Sequence, residues 1–194
     1  MTNSIKPVGI LAVQGDFEMH SKMLERIGAV WKLVKRAPEL RDVGALIMPG
    51  GESTTMLKFF TEEGMGPAVK EFAAQGKPIF GTCAGAILLA KEVLNPPQGH
   101  LGLLDITIER NAYGRQIDSS VRRGECPELS DHPVEMVFIR APIIRRVGER
   151  VRVLGSADGL PVLVEQGGIL AATFHPELTD DETIHRYFLK KLGD

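Results

Sequence analysis

Three side chains of this sequence have the types and settings that nucleophilic acyl chemistry needs: Cys83, His175 and Glu177. Cys83 stands in Gly81-Thr-Cys-Ala-Gly85, after a short apolar run beginning at Pro78 and before an apolar segment of helical character. That order is the thiol form of a nucleophile elbow. The backbone reverses there in a strained conformation, and small flanking residues leave room for it. Such a turn is expected to expose the thiol, and a helix N-terminus at that point favours thiolate over thiol through its dipole and free N–H groups. A small cysteine buried in a strand-to-helix turn is the alternative reading of the same residues. His175-Pro-Glu177 follows the apolar run Gly168 to Phe174. In extended backbone the ring and the carboxylate project to one side, so Glu177 can orient the imidazole, and Pro176, lacking an N–H, places the pair at a strand terminus. A solvated ion pair at a strand end is the bland counterpart. Taken together, the three supply a nucleophile, a general base and acid, and an orienter.

The elements that must carry these groups alternate in kind. Val8 to Val13 is a continuous apolar run, as in a parallel strand buried on both faces, and Gln14-Gly15 ends it. From Asp16, the stripe Phe17, Met23, Leu24 and Ile27 predicts a helix closing at Gly28, with His20 on that stripe as a packed or capping histidine. Strands are expected over Ala29 to Val34 and Gly44 to Met48. The second runs into Pro49-Gly-Gly51, where paired glycines let backbone N–H groups approach an anion, as an oxyanion hole requires. Ser53 is expected to N-cap the following helix, so a plain turn and cap explains the same residues. A helix over Pro67 to Gln75 leads to the elbow strand. Such alternation implies right-handed crossovers and an α/β fold whose mainly parallel central sheet has helices on both faces. Ligands of such sheets bind at the carboxyl ends of strands, where Gly51 and Cys83 both fall.

Beyond Leu94 the character changes. Leu104 to Arg110 alternates with period two, Ser119 to His132 is polar and turn-rich, and Val134 to Ile139 is a further strand. Val151 to Leu154 and Leu160 to Glu165 are expected as antiparallel additions in the C-terminal half. Thr179 to Glu182 reads as a capping box for a last helix with the stripe Ile184, Tyr187, Phe188 and Leu192. Cys126, with Pro127 after it and no small-residue turn around it, reads as a bystander.

The 194 residues, 43% hydrophobic, suffice for one compact domain spanning 1–194. A net charge of −2 and a pI near 6.2 point away from nucleic acid and anionic membranes as partners. No apolar run approaches the ~20 residues of a membrane span, and Met1 to Lys6 lacks a signal-peptide core. Two cysteines form neither a disulfide scaffold nor a Cys-x-x-Cys zinc site. Neither a phosphate-binding loop nor a dinucleotide fingerprint is present. The expectation is a cytoplasmic protein with no cofactor and no metal.

The elbow plus His-Pro-Glu resembles the class I, or triad, glutamine amidotransferases, whose fold is flavodoxin-like. Five blocks in order, Pro49 to Thr55, Phe80 to Gly85, Glu109 to Gln116, Phe138 to Pro142 and Phe174 to Thr179, are similar to one subfamily, the glutaminase subunits of pyridoxal 5'-phosphate synthase. The resemblance spans nearly the whole chain from Val8 and matches least over Ser119 to His132. It implies that L-glutamine is hydrolysed through a Cys83 thioester, with the N–H groups of Gly51 and Ala84 as oxyanion hole. It further implies that Gly51, Glu52, Ser53, Arg110, Ile139 and Arg140 bind glutamine. For each arginine a structural salt bridge is the alternative. It also implies a hetero-oligomer with a (β/α)8-barrel synthase subunit that receives the ammonia. A glutaminase subunit serving histidine or nucleotide synthesis, and a non-catalytic redox sensor on the same fold, are the rival readings.

Overall fold

The computed structural model describes residues 6–111 and 119–193. The sheet at its centre has seven strands. Five of these strands, β1 (Val8–Leu11), β2 (Trp31–Val34), β3 (Ala45–Met48), β4 (Ile79–Thr82) and β12 (Ile169–Ala172), run parallel. Strands β10 (Arg152–Ala157) and β11 (Leu160–Gln166) continue the sheet antiparallel, as the sequence predicts, giving the order β10-β11-β12-β4-β3-β1-β2.

Strands β1, β3 and β12 are apolar throughout, and β4 up to Thr82, because each feeds two cores. Leu46, Met48 and Ile79 point into one cluster with Met56, Phe60, Val69 and Phe72, while Ile47 and Phe80 point into the other with Leu24, Phe138, Ile184 and Phe188. Alternation with period two is hidden when both faces are buried. The first cluster is covered by α2 (Ser53–Glu62), α3 (Met65–Ala74) and α4 (Ala84–Leu89), the second by α1 (Phe17–Ile27) and α5 (Thr183–Lys190). Helices thus lie on both faces of the sheet. Among the described residues no helix is long and apolar enough to cross a membrane.

Several local expectations are corrected. The apolar segment after Cys83 is helical for six residues only and then becomes β5 (Ala90–Leu94), which pairs parallel with β6 (Leu104–Glu109). The antiparallel partner of β6 is β9 (Ile143–Val147), which the sequence reading did not assign. Nor was polar Ser119 to His132 read as strand, yet β7 (Ser119–Gly124) pairs antiparallel with β8 (Val134–Ile139) along its length. Main-chain pairing carries that strand, and its alternately exposed side chains conceal it. Glu52 rather than Ser53 caps α2, its carboxylate accepting from the N–H groups of Thr54 and Thr55. The capping box at Thr179 does not form: Asp181 accepts from Thr183 N–H instead, while the Thr179 hydroxyl accepts from Asp181 N–H.

Candidate functional site

The neighbouring strands β3, β4 and β12 end at one level, since Met48 pairs with Gly81 and Ala172 with Thr82. Their C-terminal extensions therefore converge, bringing Gly50-Gly51, Cys83 and His175 to one mouth. Cys83 has φ 46 and ψ −101, a backbone conformation an L-residue adopts only under constraint. Its N–H donates to Ala172 O at 2.9 Å and its carbonyl accepts from Ile87 N–H at 3.1 Å, so both limbs of the elbow hold the turn. A Cβ on Gly85 would lie 2.1 Å from Met48 O, which explains the small residue there. The exposed thiol expected from the turn is not found: Cys83 is 7% exposed, with Sγ 3.9 Å from the Ile139 carbonyl. It still lines the cleft, because β8 and the glycine turn rise around it.

His175 and Glu177 meet by a different route from the extended backbone expected. The strand stops at Ala172, and His175 precedes a 3-10 turn over Pro176–Leu178. That turn sets His175 Nδ1 2.7 Å from Glu177 Oε1, both groups buried. The His175 N–H donates to Val137 O at 2.8 Å, tying the turn to β8. Burial acts to lower the His175 pKa, but its contacts with Cys83 and Glu177 outweigh that and raise it to about 10. The ring therefore carries its proton readily beside the sulfur. Burial pushes the Glu177 carboxyl upward, and the His175 hydrogen bond draws it back.

Gly50 has a separate role. A Cβ there would stand 2.3 Å from His175 Cε1, inside the ring's van der Waals envelope. Gly50→Ala is accordingly expected to displace the imidazole and reduce kcat by about 100-fold, as a misplacement of roughly 1 Å does. Circular dichroism and steady-state turnover of the same preparation would check this.

The cleft has a volume of about 360 Å³ and is lined by Gly51, Glu52, Ser53, Cys83, Arg110, Ile139, Arg140 and His175 among others. Every glutamine-binding residue expected from the sequence faces it. The Ala84 side chain is packed in the core, and Glu177 sits behind His175 away from the lining. Glu52 is held to about 2 by hydrogen bonds from Thr54 and Thr55, which outweigh its burial, so it stays anionic. Arg110 reaches to 3.9 Å from Glu52, and its buried Nη1 has no hydrogen-bond partner among the described residues. A buried guanidinium nitrogen left open beside a cleft is a ready receptor for a carboxylate. Residues 112–118, which hold most of the Glu109 to Gln116 block, lie outside the described residues.

The sequence reading missed Gln14, Asp16, Ile87 and Asn111, which also line the cleft. Gln14 accepts from Glu52 N–H at 3.3 Å, and Asp16 lies 3.5 Å from His175 Nδ1. Their position just beyond the carboxyl end of β1 was the available signal. Ligand atoms of Asp16, His175 and Glu177 gather within 4.8 Å. The latter two are, however, already joined in a hydrogen bond.

The relatives of the chain have the same extent. A pyridoxal 5'-phosphate synthase subunit PdxT from Solibacter usitatus is 54% identical over 193 residues, 97% of this chain and 100% of that protein. The PdxT of Koribacter versatilis is 52% identical over 183 residues, 94% of each chain. A crystal structure of a glutamine amidotransferase superposes with a TM-score of 0.91 at 49% identity, covering 96% of this chain and 99% of that one. Residues 10–194 match the SNO glutamine amidotransferase family, and with elbow, histidine turn and cleft at the carboxyl ends of the central strands, the chain belongs to that family.

Proposed function

We propose that the chain is the glutaminase subunit of a pyridoxal 5'-phosphate synthase, hydrolysing L-glutamine to L-glutamate and ammonia for vitamin B6 synthesis. The observation that carries this reading is Cys83 and His175 sharing one cleft with Arg110, whose buried Nη1 has no hydrogen-bond partner among the described residues. The names of relatives with half their residues identical support it. In the reaction, the Cys83 thiolate attacks the side-chain amide carbon of glutamine. The carbonyl oxygen becomes an oxyanion held by the N–H groups of Gly51 and Ala84, each donor worth on the order of 3 kcal/mol. His175 protonates the departing nitrogen, the C–N bond breaks, and ammonia leaves a γ-glutamyl thioester. His175 then takes a proton from water as it adds to the thioester, and glutamate departs with the thiolate restored. Glu177 orients the ring throughout and stabilises it whenever it is the imidazolium.

Glu52, Ser53, Ile139 and Arg140 complete the glutamine site, and Arg110 receives the α-carboxylate. Arg110→Ala is expected to raise KM by about 10- to 100-fold with a smaller change in kcat, the signature of lost ground-state binding. Saturation kinetics of glutamate release would show it.

The partner is a (β/α)8-barrel synthase subunit, and the two form a hetero-oligomer. Free ammonia is largely protonated in neutral water and loses its nucleophilicity, so direct transfer between subunits preserves it. A single domain suffices for this task, and the reducing cytoplasm suits it, both cysteines being free thiols. Amide-¹⁵N-glutamine supplied to the reconstituted pair tests the reading. Label in pyridoxal 5'-phosphate, and glutamate release that depends on the barrel subunit, is the expected result. Unlabelled product, or no glutamate formed, overturns it.

A further inference from the structure

Behind Glu177, on the side away from the cleft, two more histidines are sealed in the core. His20 on α1 and His185 on α5 are each fully buried. His20 Nδ1 lies 3.0 Å from His185 Nε2, and His20 Nε2 lies 3.2 Å from Thr82 Oγ1 and 3.5 Å from Glu177 Oε2. We propose that His20 is a positioning residue of the glutaminase site, presenting a fixed Nε2–H to the outer oxygen of Glu177 and to Thr82, the residue before the nucleophile. This inference rests on the triad reading given above.

The tautomer follows from the surroundings. Burial, with the neighbouring His185 and His175, holds His20 well below its usual pKa, and burial brings His185 to about 3, so both rings are neutral and each carries one N–H. If His185 Nε2–H donates to His20 Nδ1, the His20 proton sits on Nε2, facing Glu177 and Thr82. His185 Nδ1, which has no hydrogen-bond partner among the described residues, is then a bare lone pair. The reverse arrangement aims the His20 Nε2 lone pair at a carboxylate and leaves a buried N–H on His185 Nδ1 unsatisfied. Orphaned buried N–H groups are the rarer and costlier of the two, so the first arrangement holds.

Glu177 Oε2 has no hydrogen-bond partner among the described residues, and His20 Nε2 stands 3.5 Å from it, while Oε1 is taken by His175. Besides His175 and the Glu177 backbone N–H, His20 is thus the side-chain N–H placed to serve the open oxygen of a buried carboxylate that must remain ionised. The groups facing Glu177 are His175, His20 and, through the cleft, Asp16, whose charge acts to raise it. Removing the His20 donor favours the protonated carboxyl, and a protonated Glu177 no longer holds the imidazolium. The acid limb of the rate profile then moves to higher pH.

Kinetics of the complete hetero-oligomer across pH test this with His20→Leu, His20→Gln and Cys83→Ala. Gln places an amide nitrogen near the position of Nε2 and is expected to keep kcat and the profile close to those of the parent. Leu is expected to lower kcat by about 10- to 100-fold, as loss of an outer hydrogen-bonding partner does, with KM unchanged and the acid limb shifted upward. Equal impairment of both variants, or a Leu variant that loses thermal stability with its profile unmoved, overturns the inference. Activity retained in Cys83→Ala overturns the triad reading and this inference with it. Activity lost there but intact in His20→Leu overturns this inference alone. Should His20→Leu not fold, ¹⁵N shifts of the His20 ring in the unaltered protein decide: protonation at Nε2 supports the assignment and protonation at Nδ1 overturns it.

Discussion

Cys83→Ala is expected to lower glutamine hydrolysis by roughly 10⁴-fold or more, the scale on which loss of a nucleophile acts when base and orienter depend on it. Glutamine-dependent formation of pyridoxal 5'-phosphate should vanish with it. Synthesis from added ammonium salts should persist, because the proposed function assigns the chemistry after ammonia release to the partner. Loss of both activities would contradict that division. The variant should fold, since alanine keeps the Cβ and the backbone bonds to Ala172 and Ile87 do not involve the side chain. At φ 46 any Cβ is strained, a cost of order 1–3 kcal/mol, so Cys83→Gly is expected to melt at a higher temperature than Cys83→Ala. Differential scanning calorimetry of the two variants compares them directly.

Glu177→Gln should be nearly as damaging, for a reason the buried cluster supplies. The carboxylate accepts from His175 on one oxygen and faces His20 on the other. An amide offers one oxygen and one NH₂ group, so one of its neighbours meets a donor. If that neighbour is His175, the ring accepts at Nδ1 and carries its proton on Nε2, where it can no longer take one from Cys83. Wrong-tautomer effects of this kind reach about 10⁴ in rate, and a loss of 10²- to 10⁴-fold is expected here. The pH dependence changes as well. The raised His175 value means that stability drawn from the imidazolium is complete below the ordinary histidine range and is lost as pH rises through about 10. Without the Glu177 charge that upper limit falls, so both the alkaline limb of kcat and the high-pH edge of the melting profile should move to lower pH. A variant whose limb stays in place would show that Glu177 contributes no charge to His175.

How much of this was legible in the chain depends on whether the signal was local. The elbow announced itself because a strained turn demands small residues within two positions of Cys83, and the apolar runs from Val8 to Val13 and from Pro78 declared the buried strands found at Val8–Leu11 and Ile79–Thr82. The family likeness rested on blocks of the same local kind. Where an element is defined by its partner, the sequence was silent. Strand β7 alternates exposed and half-buried side chains over Ser119 to Arg123, with apolar Val121 among the exposed ones, and exists because β8 lies beside it. His20 looked like a helix-stripe histidine, since its partners Thr82, Glu177 and His185 lie far along the chain.

Residue types and short-range spacing by themselves singled out the proposed nucleophile, its proposed base and the alternation that builds the sheet, because strain, periodicity and side-chain chemistry act over a few positions. Only the tertiary structure decided that the thiol is shielded and that a 3-10 turn, not a strand, joins His175 to Glu177. It also decided that two neutral histidines back the carboxylate. Those outcomes depend on which surfaces exclude water and which buried polar atoms find partners, and both are properties of the packed chain.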